Sequence, residues 1–124
     1  MLEILKCEDA NEIKETFSKA GFEYSDNSGM LLAKNKGEVL GYSLYCLSSE
    51  RITVLKIEPV NDIMLFDGIL RSTLHIAAER SIIDAFYCDT FNAEQILEQL
   101  GFVKDKEQNT LDIDLLFGGC CCQK

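Results

Sequence analysis

The sequence predicts an α+β domain, and three observations carry that prediction. Helical and strand periodicities alternate along the chain, the stretch from Met30 to Pro59 reads as three consecutive antiparallel strands, and the apolar stripe that opens at Ile63 is broad enough to pack against a sheet. With 124 residues, 47% hydrophobic and 27% charged, the chain can bury one core but not two. We therefore expect a single domain over residues 1–117 and a flexible tail over 118–124.

Leu2 to Lys6 alternates weakly and reads as a first strand. Asp9 and Glu12 then stand at the spacing of a capping box, and Ile13, Phe17 and Ala20 share one side of a helix placed at Ala10 to Ala20. Gly21 and Phe22 supply its left-handed cap and the hydrophobic contact that accompanies it. The runs MLLAK, VLGYSLYCL and RITVLKI follow, separated by NKGE and LSSER. They form the meander, with Lys36-Gly37 or Asn35-Lys36 as the first tight turn.

From Asp62 the period is helical again. Ile63, Phe66, Leu70, Leu74 and Ala77 make the stripe, Ile69 and Ile76 widen it, and Asp67, Arg71, His75 and Glu79 occupy the polar side. IIDAFYC reads as a strand, and Asn92 with Gln95 as a capping box before Ile96, Leu97 and Leu100. Gly101-Phe102 repeats the closing pattern of the first helix, and TLDIDLLF alternates as a last strand. Tyr45 and Tyr87 read as half-buried strand aromatics, and Cys7, Cys46 and Cys88 as small buried hydrophobes.

A formal charge of -9 with twelve scattered Lys and Arg excludes the basic stripe of a nucleic-acid binder. No apolar run has the length of a membrane span, and MLEILKCEDANE lacks the plan of a signal peptide, so we expect a cytoplasmic protein with free thiols. Cys120, Cys121 and Cys122 are the candidate metal ligands. Adjacent cysteines in an extended chain point alternately, which disfavours a single-chain zinc site and leaves a soft ion shared between chains, or thiol exchange.

The stretch from Ile52 to Phe102 resembles the GNAT superfamily of acyl-CoA-dependent N-acetyltransferases. Ile57-Glu58-Pro59 is similar to the family's strand end, GILRSTLHIAAERSI to its long helix, IIDAFYC to the next strand and Leu100-Gly101-Phe102 to its closing L-G-F. The resemblance implies a mixed, mostly antiparallel central sheet flanked by helices on both faces. It also implies transfer of an acyl group from acetyl-CoA or another acyl-CoA to a small-molecule or peptide amine. Carried over to this chain, Leu55, Ile57, Met64, Leu65 and Phe66 would line the coenzyme site, and Glu58 would be the general base.

The family's R/Q-x-x-G-x-G/A loop lets backbone N–H groups approach a pyrophosphate at a helix N-terminus. Here Asn61, Met64 and Phe66 fall on its three defining positions, Asp67 adds a negative charge, and Leu97 stands where many members carry a proton-donating Tyr. The loop is thus a degenerate coenzyme-binding motif. The region between Glu23 and Gly29 is too short for a second N-terminal helix, which leaves the acceptor groove undefined. The alternative readings are a non-catalytic interaction or homodimerisation module, its cleft filled by Met64 and Phe66, and thiol or soft-metal handling by the cysteine tail.

Overall fold

In the computed structural model, residues 2–88 and 94–113 are described. The elements run β1 (Leu2–Lys6), α1 (Ala10–Ala20), β2 (Ser28–Asn35), β3 (Glu38–Leu47), β4 (Arg51–Glu58), α2 (Ile63–Ala78), β5 (Asp84–Tyr87), α3 (Glu94–Gln99), β6 (Val103–Asp105) and β7 (Thr110–Leu111). The strands form one sheet in the order β1-β2-β3-β4-β5-β7-β6. Among the described strands only β4 and β5 pair in parallel, and α2 is the crossover between them. That sheet, mostly antiparallel and covered on both faces, is the predicted α+β architecture.

Period two in the strands divides the core. Met30, Leu32 and Leu44 face one way and pack with Ile13 and Phe17 of α1. Leu31, Ala33, Tyr45, Ile52, Val54 and Ile57 face the other way, onto Phe66, Ile69, Leu70 and Leu74 of α2, and Leu97 of α3 joins this cluster. Gly41 brings α2 close to the sheet: a Cβ there would collide with the Glu58 carbonyl and with the side chains of Ile69 and Pro59.

The caps follow the residues that predict them. Asp9 Oδ1 accepts from the N–H groups of Asn11 and Glu12 at 3.0 and 3.3 Å. Gly21 takes φ 85° and Gly101 φ 83°, and Phe22 and Phe102 close back onto Phe17 and Leu97. The turn between β2 and β3 centres on Lys36-Gly37, at φ 54° and 85°, as a two-residue hairpin of this handedness requires.

Four expectations change. Val103–Asp105 forms an additional strand without a sequence signal, because three residues carry no legible period, and it pairs with β7. The described part of the last strand is only Thr110–Leu111. Ile63, expected within the buried stripe, is 37% exposed because it is the first helical residue and overhangs the sheet. Cys7, Cys46 and Cys88 are half-buried, whereas Tyr45 and Tyr87 are fully enclosed. The Asn92 cap and the Gly118-Gly119 hinge lie outside the described residues.

Candidate active site

The feature that sets this sheet apart is a fork. β4 and β5 run side by side from Arg51 and Asp84 to Val54 and Tyr87, and the Cys88 N–H bonds to the Val54 carbonyl at 3.0 Å at the end of the described β5 segment. Beyond it, the edge of β4 from Leu55 to Glu58 has no partner strand among the described residues. An open edge offers unpaired N–H and C=O groups to whatever lies along it.

A bulge shapes that edge. On the β3 side Val54 pairs with Tyr45 and Lys56 with Leu44, so Leu55 is the extra residue. Ile52 and Val54 point to the α2 side, Leu55 to the α1 side, and Ile57 returns to the α2 side after a step of three, where it is fully buried. Lys56 Nζ and a Glu58 carboxylate oxygen lie 3.4 Å apart, with the two side chains 34% and 40% exposed. Glu58 is thus accessible at the end of the open edge and is held by a neighbouring cation.

The first turn of α2 stands just past this edge. Met64 is 83% exposed, Leu65 half-buried and Phe66 fully buried in the core. Neither Met64 nor Phe66 fills a cleft, which corrects the expectation that they would, since one points to solvent and the other under the helix. The helix N-terminus carries its own anion: Asp62 Oδ1 accepts from the Leu65 N–H at 3.2 Å, and the Phe66 N–H bonds to the Asp62 carbonyl at 2.9 Å. Asp67 holds Arg71 through both carboxylate oxygens, at 2.9 and 3.0 Å. The Asp62 cap is readable from residue type, an Asp before an apolar helical run.

Leu97 is fully buried and packs in the same cluster as Tyr87. Tyr87, the last β5 residue before the fork, donates its hydroxyl to Glu94 Oε2 at 2.6 Å. Burial, then the adjacent Glu94 carboxylate, push this phenol well above the usual tyrosine range. The pair fastens α3 to β5 and carried no sequence signal, because its members lie seven residues apart in different elements. Cys120, Cys121 and Cys122 lie outside the described residues, among which no group of three or more His, Cys, Asp or Glu could hold a metal ion. No described helix is long and apolar enough to cross a membrane.

No sequence-family profile matches the chain, and no characterised protein matches it by sequence. Solved structures do match. The ribosomal-protein-S18-alanine N-acetyltransferase from Escherichia coli superposes with a TM-score of 0.58 at 13% identity, over 89% of this chain and 88% of that one. An acetyltransferase of the GNAT family from Staphylococcus aureus Mu50 gives 0.55 at 11% identity, over 82% and 84%. YhhK from E. coli, solved bound to coenzyme A, gives 0.53 at 14% identity, over 89% and 95%. At these identities the likeness speaks for the fold, and the fold is that of the GNAT acetyltransferases.

Proposed function

On this GNAT fold, we propose that the chain transfers an acyl group from an acyl-CoA thioester, acetyl-CoA being the simplest, to an amine of a small molecule or peptide. The observation that carries the proposal is the open β4 edge past Val54. An extended ligand bearing amide groups can pair with such an edge, and the pantetheine arm of coenzyme A is one. In this reading Leu55 and Ile57 offer backbone groups to the arm, and Met64 and Leu65 border its far end.

Glu58 takes the proton that the amine loses as its nitrogen attacks the thioester carbonyl. The carbon–sulfur bond then breaks and its electron pair leaves on sulfur. Leu97 has no proton to give, so the departing thiolate takes one from water. The pyrophosphate end fits these residues poorly, because the Asp62 carboxylate already occupies the first turn of α2. Binding energy therefore comes mainly from the acyl-pantetheine end.

Calorimetric titration with acetyl-CoA and acetyl-pantetheine tests this. Asp62→Ser keeps a capping oxygen but removes the charge, and should tighten acetyl-CoA about two- to fivefold while leaving acetyl-pantetheine unchanged. Glu58→Gln should bind both ligands normally and transfer nothing. Failure of both ligands to bind at millimolar concentration would sink the proposal and favour the second reading, a self-associating module. That reading has its own observation: Val39, Leu40, Val60, Ile63 and Met64 are all exposed at the end of the sheet where β4 stops and α2 begins.

A further inference from the structure

The amine that already stands at the Glu58 carboxylate is the chain's own. Lys56 pairs with Leu44 across β3 and Glu58 with Tyr42, and residues directly opposite share a face of the sheet. Leu44 is buried with α1 and Tyr42 packs against the same cluster, so Lys56 and Glu58 both leave β4 on the α1 side. Lys56 Nζ lies 3.4 Å from Glu58 Oε2, and both side chains are open to solvent in part.

No helix stands between α1 and β2, and α1 itself packs on Met30, Leu32 and Leu44 of β2 and β3. Among the described residues, the α1 side of β4 therefore carries no second helical layer that would shape a groove for an incoming amine. An external amine approaching Glu58 from this side meets the Lys56 ammonium first. That ammonium is borne by the same short segment, Leu55 to Glu58, whose open edge is given above to the acyl-pantetheine arm. A nucleophile fixed on one strand with its base needs no encounter step, and such fixing raises the effective concentration by orders of magnitude.

We propose that Lys56 is itself an acyl acceptor, modified by its own chain from a bound acyl-CoA; the inference rests on the acyl-transfer reading of this site. Glu58 accepts one proton from the Lys56 ammonium, and the freed amine attacks the thioester carbonyl carbon. A carbon–nitrogen bond forms, the carbon–sulfur bond breaks, and its electron pair leaves on sulfur. The nitrogen gives its second proton to water as the amide forms, the thiolate takes one from water, and Glu58 returns its proton to solvent. The products are Nε-acyl-Lys56, the free thiol of coenzyme A and one proton. An amide nitrogen carries no charge, so the ion pair is lost and Glu58 is released to serve an external amine.

Peptide mass spectrometry of the full chain after timed incubation with acetyl-CoA tests this. Lys56 should gain one acetyl group ahead of every other lysine, at a rate that saturates with acetyl-CoA and does not depend on protein concentration. The urea-unfolded chain should show no such preference. Glu58→Gln should slow the labelling about a hundredfold, the contribution of a positioned base. Losing the carboxylate also frees the amine from its ion partner, which by itself would speed attack, so slower labelling reports proton removal and not the ion pair. Lys56→Arg keeps that pair but should take up no acetyl group at this position. The proposal falls if Lys56 is labelled no faster than the other lysines, if its rate rises linearly with acetyl-CoA or in proportion to protein concentration, or if Glu58→Gln labels like the wild type. Calorimetry separates the two failures: acetyl-CoA that binds while Lys56 stays unmodified overturns this inference alone, and acetyl-CoA that does not bind at millimolar concentration overturns the acyl-transfer reading with it.

Discussion

Ser43 and Thr73 are the two fully buried polar side chains among the described residues, and they satisfy one another across the interface of β3 and α2. Thr73 Oγ1 donates to the Ile69 carbonyl at 2.8 Å, so in the 2.7 Å contact between the hydroxyls Ser43 must be the donor. The direction makes the two deletions unequal. Ser43→Ala removes a donor and leaves Thr73 its own bond, and should cost about 1 kcal/mol. Thr73→Val strands the Ser43 hydroxyl in the core and should cost about 1–3 kcal/mol. Urea denaturation of both variants checks the order, and equal losses would contradict this direction. Nothing in the sequence marked the pair, because Ser and Thr thirty residues apart show neither their burial nor their contact. Glu58 is the opposite case. Its place at the end of a strand was legible from the pattern before Pro59, and only its ion pair with Lys56 needed the fold.

Elements here were legible wherever local chemistry sets them. α1 was placed from the Asp9 cap, the i, i+4 spacing of Ile13 and Phe17, and Gly21, and α2 from its stripe. The bulge at Leu55 was not legible, because it is a slip in register against β3 and depends on the partner strand. Glycines divide in the same way. Gly68 sits inside α2, where a Cβ would meet only Ile4 Cδ1 at an ordinary 3.7 Å. Gly68→Ala should therefore stabilise the protein by about 0.5–1 kcal/mol through helix propensity. Gly41→Ala, which would push against the Glu58 backbone and lift α2, should destabilise it by about 1–3 kcal/mol. Melting temperatures of the two variants should move in opposite directions; a fall in both would mean that α2 has no room at Ile4 either.

For the molecule as a whole, stability should be lost in alkali before it is lost elsewhere in the neutral-to-basic range. Tyr45 and Tyr87 are both buried, and burial is the main cause that raises both pKa values above the ordinary tyrosine value of 10.0. Their neutral forms favour the native state, so this stability is fully present below pH 10.0 and is lost as pH rises above it. Each enclosed phenol should steepen the decline by about 1.4 kcal/mol per pH unit. Urea midpoints measured on either side of pH 10.0 check this. The double variant Tyr45→Phe, Tyr87→Phe should show a shallower decline, and an equal slope would place the loss on other groups. The sequence by itself determined the order of helices and strands except the short β6, the caps of α1 and the end of α3, and the two-sided apolar pattern. All of these follow from interactions within a turn or two of chain, and together they select a covered mixed sheet. Tertiary structure alone decided where β4 parts from β5 among the described residues, that Phe66 lies under α2 while Met64 faces water, and that the Asp62 carboxylate caps the first turn of α2. The physical reason is range: strand register and helix rotation are set by partners far away in sequence.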